Sequence, residues 1–197
     1  MLRDYGPLTP SRLSAGVGYA QPAAGVPEPV ALEDPALRVM TDFRSVTAVV
    51  ILPGDGVNEA HRRMIQRGVR LLLVVDQDRQ VVGLITATDI LGEKPMQVVT
   101  DRGMRREELL VRDIMTTQQS LQAIDLSDVQ RAKVGHIVTT LKQSGRQHAL
   151  VVEQDVARSQ TVRGLFSATQ IARQLGVAIP TNEIARTFSE IEAQLAR

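Results

Sequence analysis

Hydrophobic and polar positions follow the same order in two stretches of this chain. In the first stretch, a short β-branched run at residues 47–52 predicts a buried strand, and a helical pattern follows it. Two apolar runs, at residues 71–75 and 81–85, are joined by a polar turn and predict an antiparallel hairpin. A second helix is predicted to begin near Thr88 and to include Leu91. The predicted order is therefore β-α-β-β-α.

The first predicted helix carries signals at both of its ends. Asp55 is a candidate N-cap, because a short polar side chain can accept a hydrogen bond from a free amide of the first turn. Gly68 can adopt the left-handed conformation with which many helices end. The apolar face between these two residues is formed by Val57, Ala60 and Met64.

The second stretch repeats this order with a longer first helix. Ser127 and Gln130 have the spacing of a capping box, and Gly145 is placed to end the helix. An eight-residue phrase makes the repetition explicit, since GLITATDI at residues 83–90 recurs as GLFSATQI at 164–171. Neither copy alone offers a large core, so we expect the two to pack together as one body. The apolar face of the longer helix is formed by Val134, Ile137, Val138 and Leu141.

We place the first repeat at residues 37–93 and the second at residues 111–177. Residues 1–36 contain six of the nine prolines and show no hydrophobic periodicity, so we predict an extended arm or linker. An arm that wraps a partner or a second copy of the chain is the alternative.

Two further segments flank the second repeat. Residues 94–110 form a charged connector, in which Arg102, Arg105 and Arg106 are a candidate basic patch. Glutamates follow these arginines directly, which favours a solvated helix face. Residues 178–197 predict an amphipathic helix. Its spacing does not distinguish a helix that covers the repeats from one that packs against another subunit.

Composition restricts the class of protein. Hydrophobic residues make up 43% and charged residues 23%, as in globular proteins. Because 23 basic residues nearly balance 22 acidic ones, we expect neither nucleic acid nor a membrane as partner. With no cysteine there is no disulfide framework, which suits the cytoplasm. No apolar run approaches the roughly 20 residues that a transmembrane helix needs.

The repeated phrase also carries the candidate chemistry. Gly83 permits close backbone approach, and the turn after it presents Thr86, Thr88 and Asp89 at the start of a helix. Hydroxyls and free amides suit phosphate oxygens, and a carboxylate can accept from both hydroxyls of a diol. These features describe a ribose-phosphate site. The competing interpretation is that a threonine caps the helix and Asp89 complements its dipole.

Signals for catalysis or metal binding are absent from the sequence. His61, His136 and His148 have no paired ligand spacing, so we expect no metal. No nucleophile elbow, Walker-type loop or pair of catalytic carboxylates occurs. We therefore expect a protein that is not an enzyme.

Taken together, these patterns resemble the paired cystathionine-β-synthase (CBS) domains, also called a Bateman module. The resemblance covers about residues 38–177. It implies an α+β fold in which two β-α-β-β-α repeats pack sheet against sheet about a pseudo-twofold axis and leave two related clefts. The motifs that carry it are Met40-Thr41, Met115-Thr116, Val74-Val75-Asp76, Val151-Val152-Glu153 and the repeated phrase.

The resemblance further implies a ligand that contains adenosine, such as AMP, ADP, ATP or S-adenosylmethionine. In such modules the carboxylate at the position of Asp89 holds the ribose, and the hydroxyls of Thr86 and Thr88 lie near the ribose or phosphate. The base lies against the other repeat, which here offers Arg146, Gln147 and His148.

The second cleft departs from this pattern. Gln170 stands where the first phrase has a carboxylate and cannot accept two charge-assisted bonds from a diol, so we expect weak ribose binding or none. We thus predict one competent nucleotide site per chain. The residues expected at the weaker cleft are Val69, Arg70, Leu71, Ser167, Thr169 and Gln170.

The predicted function is that of a stand-alone, non-catalytic module that senses an adenosine ligand. We expect a homodimer that passes its binding state to an unidentified regulated protein. The first alternative is a ligand-free module kept for structure or dimerisation. The second is an enzyme that acts on a nucleotide, which no group of residues in the sequence supports.

Overall fold

The structure is a computed structural model and describes residues 28–177. The predicted β-α-β-β-α order is confirmed in both repeats, and the fold is α+β with two four-stranded sheets. The strands are β1 (Thr41–Asp42), β2 (Val50–Ile51), β3 (Leu71–Val75), β4 (Val81–Thr86), β5 (Thr116–Thr117), β6 (Ala123–Asp125), β7 (His148–Gln154) and β8 (Gln160–Ser167). The helices are α1 (Val57–Arg67), α2 (Ala87–Leu91), α3 (Lys94–Arg102), α4 (Val111–Ile114), α5 (Leu126–Val129), α6 (Val134–Ser144) and α7 (Ala168–Gln174).

Each sheet is completed by a strand from the other half of the chain. One sheet has the order β2-β3-β4-β5 and the other the equivalent order β6-β7-β8-β1. Strands β1 and β5, which are the first strands of the two repeats in sequence, are thus exchanged between them. The carboxylate of Asp42 on β1 accepts from Arg163 Nε and Nη2 on β8 at 2.9 and 2.6 Å. This guanidinium is the main reason why the pKa of Asp42 lies below its usual value.

The segments next to the exchanged strands fill the core of the opposite repeat. Ala36 and Val39 are fully buried among residues of α6, α7 and β8. Leu109, Val111 and Ile114 are buried in the same way among residues of α1, β3 and β4. The two halves therefore share their cores and are expected to fold as one unit.

The two sheets also pack against each other. Leu71, Leu73 and Val75 point from β3 into the interface with the second repeat, where they meet Leu150 of β7. The intervening residues of β3 point to the helices, so this strand is buried on both faces. That burial explains why its sequence is a continuous apolar run rather than an alternating one.

The exchange also accounts for the differences from the predicted helix starts. Asp55 is not the N-cap of α1, which is Gly56. The carboxylate of Asp55 instead accepts a hydrogen bond from the amide of Leu52 at 3.2 Å. The first-turn amide of Val57 donates to the carbonyl of Leu109 at 3.0 Å. A capping partner 52 residues away leaves no local signal in the sequence.

The predicted capping box at Ser127 and Gln130 is likewise wrong. The cap of the short helix α5 is Asp125, whose side chain accepts from the amide of Ser127 at 2.8 Å. The longer helix α6 begins only at Val134, whose amide donates to the carbonyl of Asp34 at 2.9 Å.

Other predicted boundaries agree more closely. Gly68 and Gly145 both adopt the left-handed conformation and end α1 and α6 as predicted. The predicted hairpin is present as β3 and β4. The strand predicted at residues 47–52 is shorter, because only residues 50–51 pair with β3.

The arginines of the connector have partners within the described part of the chain. Arg102 forms an ion pair with Asp113, Arg105 pairs with Glu108, and Arg106 donates to the carbonyl of Ile90. This agrees with a solvated, ion-paired surface and not with a free basic patch.

Several predictions concern residues outside the described range. The C-terminal amphipathic helix and residues 1–27 of the predicted arm both fall there. Residues 28–36 are described and lie along α6 and α7, where the amide of Val30 donates to the carbonyl of Gln174. Within residues 28–177, no helix is long and apolar enough to cross a membrane.

Candidate functional site

A cleft of about 340 Å³ lies where the two repeats meet at the start of α2. It brings together all five residues predicted for the nucleotide site, which are far apart in sequence. Thr86, Thr88 and Asp89 come from the first repeat, and Gln147 and His148 from the second. The remaining residues of the lining are Leu84, Thr116, Leu121, Gly145 and Arg146.

The start of α2 forms a capping box. The hydroxyl of Thr86 accepts from the amide of Asp89 at 3.2 Å. In return, Asp89 Oδ2 accepts from the amide and the hydroxyl of Thr86 at 2.9 and 2.7 Å. The capping role considered for these residues is therefore present, and it fixes the carboxylate at the mouth of the cleft.

The second oxygen of Asp89 also has a partner. Lys94, at the start of α3, donates from Nζ to Asp89 Oδ1 at 2.5 Å. The Asp89 side chain is only 12% exposed, whereas that of Lys94 is 50% exposed. A hydroxyl group that binds Oδ1 would therefore compete with this lysine, whose side chain is half exposed.

Lys94 was missed by the sequence analysis. The only signal in the sequence was a lysine five residues after the carboxylate. That spacing gives a contact only because Asp89 lies in α2 and Lys94 at the start of a separate helix, α3. Thr116 was noted in the sequence only as part of the Met115-Thr116 motif and was not predicted as a site residue. The exchange of β5 brings it beside β4 and into the cleft.

The opposite wall of the cleft comes from the loop before β7. The carbonyl of Gln147 accepts from the amide of Ala168 at 2.9 Å, and Arg146 Nη2 donates to the carbonyl of Ser120 at 3.2 Å. Both bonds hold this wall in place relative to the second sheet. Thr88 on the other wall is exposed.

His148 lies in the wall between the two clefts and lines both of them. Burial lowers the pKa of this imidazole to about 4, and the positive charge of Arg70 lowers it as well, against the opposing effect of Asp89. His148 is therefore neutral at pH 7 and presents a neutral ring to each cleft.

The second cleft contains the six residues predicted for it and has a volume of about 670 Å³, so it is larger than the first. Gln170 does not simply replace the carboxylate there. Its Oε1 accepts from the hydroxyl of Thr41 on the exchanged strand β1 at 3.1 Å. The side chain thus uses its acceptor to hold β1, and Val69, Arg70, Leu71, Ser167 and Thr169 line the rest of the cleft with other residues.

Metal binding finds no support in the described part of the chain. Residues 28–177 contain no group of three or more histidine, aspartate or glutamate side chains arranged to hold an ion. His136 has a structural role, since its Nδ1 accepts from the amide of Lys133 at 3.0 Å at the start of α6.

Comparison with known protein families matches residues 36–95 to the CBS domain. The chain therefore contains a CBS domain. The matched range is the first CBS repeat, and the second repeat has the same order of strands and helices. Among curated proteins, the chain is 26% identical over 131 residues to an uncharacterised protein of Methanocaldococcus jannaschii. That match covers 61% of this CBS protein and 46% of the relative.

A second curated relative is an uncharacterised protein of Methanopyrus kandleri, 31% identical over 68 residues. This match covers 34% of this chain and 35% of the relative. The CBS protein therefore spans less than half the length of either relative.

Solved structures share the fold. An uncharacterised conserved protein from Pyrococcus horikoshii matches with a TM-score of 0.54 and 21% identity, over 78% of this chain and all of that one (100%). CBSX2 from Arabidopsis thaliana, in complex with AMP, matches with a TM-score of 0.50 and 15% identity, over 83% of this chain and 99% of that one. At these identities the likeness establishes the CBS-pair fold.

Proposed function

We propose that this protein is a non-catalytic sensor that binds an adenosine nucleotide in the cleft between α2 and the start of β7. The observation that carries the proposal is the convergence of Thr86, Thr88 and Asp89 with Gln147 and His148 in one cleft. A fixed carboxylate suits the ribose diol, the exposed hydroxyl suits phosphate, and the neutral ring suits the base. A protein of the same fold, CBSX2, has been solved with AMP.

Regulation is part of the same proposal. The cleft joins the two repeats and contains a residue from an exchanged strand, so a ligand would favour one packing of the repeats over another. We propose that a cytoplasmic homodimer passes this difference to a regulated partner protein. Native mass spectrometry of freshly purified protein would report the retained ligand, its stoichiometry and the oligomeric state together.

Replacing Asp89 with asparagine is expected to weaken AMP binding by about tenfold or more, because the diol loses a charged acceptor. The asparagine carbonyl can still accept from Thr86, so the start of α2 should be preserved. Isothermal titration calorimetry with AMP measures the effect, with a wild-type stoichiometry near one per chain.

Asp101→Asn is the matched control, since it removes the same charge from an exposed position on α3. Its AMP affinity should stay within twofold of the wild type. A stoichiometry near two would contradict a single competent site per chain, and an Asp89→Asn affinity equal to that of the control would rule out the site at Asp89.

Replacing Lys94 with alanine is expected to strengthen the binding of adenosine by up to about fivefold. The gain is small because an exposed ion pair contributes only about 0.2–1 kcal/mol. Adenosine is the appropriate probe, since it carries the diol without a phosphate that the lysine could attract. Calorimetry that found weaker adenosine binding in this variant would show that Lys94 assists the ligand instead of competing with it.

The competing function is a ligand-free structural module. It is favoured by one observation, namely that Asp89 and Gln170 already have partners inside the protein. A thermal-shift series with AMP separates the two functions, because a ligand at 100 times its Kd stabilises the folded state by about 2.7 kcal/mol. An unchanged midpoint across AMP, ADP, ATP and S-adenosylmethionine would favour the structural module.

A further inference from the structure

The second cleft differs from the first in the charge of its lining. Arg67, Arg70 and Arg173 all line it, and its described lining includes no aspartate or glutamate. Within residues 28–177, the guanidinium groups of these three residues form no hydrogen bond or ion pair. Other arginines nearby are paired, as Arg163 is with Asp42. Three unpaired cations around one concave surface favour an anion there.

The uncharged polar groups of this cleft are also suited to an anion. Ser167 and Thr169 offer hydroxyl donors. Gln170 uses its oxygen to accept from Thr41, which leaves its amide hydrogens as donors. No carboxylate acceptor for a ribose diol is present among the described lining residues, so the cleft lacks the feature that defines the first site.

The three arginines come from separate elements. Arg67 lies in the last turn of α1, Arg70 just before β3, and Arg173 on α7 of the second repeat. Arg67 and Arg173 also complement the dipoles at the ends of α1 and α7, whereas Arg70 lies outside any helix. An extended anion that reaches both repeats satisfies this arrangement better than a single small ion.

We propose that the second cleft binds a polyphosphate anion through Arg67, Arg70 and Arg173 without recognising a ribose. Its volume of about 670 Å³ lies within the range of small-molecule sites. The polyphosphate is either free or carried by a nucleoside, whose ring would lie against the apolar side of the cleft formed by Phe43, Val49 and Leu165. This site is separate from the proposed nucleotide site at Asp89.

The test is calorimetry of the full chain with inorganic tripolyphosphate. We expect one tripolyphosphate to bind per chain, with an affinity that falls as the salt concentration rises. The affinity should fall by at least about tenfold in the double variant Arg70→Gln/Arg173→Gln, since charged hydrogen bonds contribute about 1.5–3 kcal/mol each. Arg67→Gln, which changes a residue on a different element, should also weaken the binding of tripolyphosphate. The matched control is Arg62→Gln/Arg131→Gln, which removes the same charge from exposed positions.

Three outcomes would overturn the proposal: no binding of tripolyphosphate, equal weakening in both double variants, or loss of binding in Asp89→Asn. The last result would place the anion in the first cleft. If the proposal holds, a comparison with ATP identifies the source of the polyphosphate. ATP that binds through Arg70 only as tightly as tripolyphosphate indicates that the ligand is a free polyphosphate. ATP that binds more tightly indicates that the polyphosphate is carried by a nucleoside. A failure of AMP binding at Asp89 leaves these results unchanged.

Discussion

Replacing Gly164 with alanine is expected to lower the free energy of unfolding by about 2–3 kcal/mol, the upper range for adding a methyl group to a packed site. Gly164 on β8 lies opposite Asp42 of the exchanged strand β1. A Cβ there would collide with the carbonyl oxygen of Thr41, a backbone atom that cannot move without loss of strand pairing. Equilibrium unfolding in urea at pH 7 measures the loss.

The equivalent glycine of the first repeat provides a replicate. At Gly83 a Cβ would lie 2.6 Å from the carbonyl oxygen of Thr116 on β5, so Gly83→Ala is expected to destabilise the protein similarly. Gly54→Ala is the control, because no atom lies within 4 Å of its added Cβ, and it should change stability by less than about 0.5 kcal/mol. Equal unfolding midpoints for all three variants would show that the exchanged strands contribute little.

These glycines also connect the fold to the two clefts. The strand that crowds Gly83 supplies Thr116 to the first cleft, and the strand that crowds Gly164 supplies Thr41, which holds Gln170 in the second. The glycine that opens each copy of the repeated phrase is therefore needed for strand exchange. Its position in the sequence suggested close backbone approach, and the structure identifies the approaching backbone.

Sequence patterns predicted the repeated elements because each one is encoded locally. The apolar run of β3, the helix-ending Gly68 and the hairpin all depend on residues within a few positions of one another. The helix starts at Asp55 and Ser127 were predicted wrongly for the opposite reason. The first-turn amide of Val57 in α1 donates to the carbonyl of Leu109, and that of Val134 in α6 donates to the carbonyl of Asp34, so both helix starts depend on residues far away in sequence.

The candidate site divides in the same way. Thr86, Thr88 and Asp89 lie within four residues, so their convergence could be predicted from local spacing. Gln147 and His148 were assigned by family resemblance, and the structure places them in the same cleft. Lys94 could not have been foreseen, because its contact with Asp89 depends on the angle between α2 and α3.

His148 is expected to make the protein less stable as the pH falls from about 6.5 to 4. Its folded-state pKa of about 4 lies below the unfolded value of 6.5, mainly because of burial. Between these values the unfolded chain binds a proton that the folded protein does not, so acid favours unfolding. The full shift corresponds to a loss on the order of 3 kcal/mol, at about 1.4 kcal/mol per pH unit.

His148→Gln should remove this loss. As the pH is lowered from 7.5 to 4.5, the unfolding free energy of the variant should therefore fall less than that of the wild type. Urea titrations at several pH values measure it, and the comparison cancels the carboxylates common to both proteins. His61→Gln is the control, because it removes an imidazole from α1, outside the lining of both clefts. A His148→Gln offset that is constant with pH would contradict the assignment.

The charges on either side of His148 make the same prediction more specific. Arg70 lowers the pKa of His148 from the second cleft, and Asp89 raises it from the first. Arg70→Gln should therefore raise the pKa, and Asp89→Asn should lower it, in an NMR titration of the imidazole protons. Opposite shifts from the two clefts would show that His148 responds to the charge in each of them.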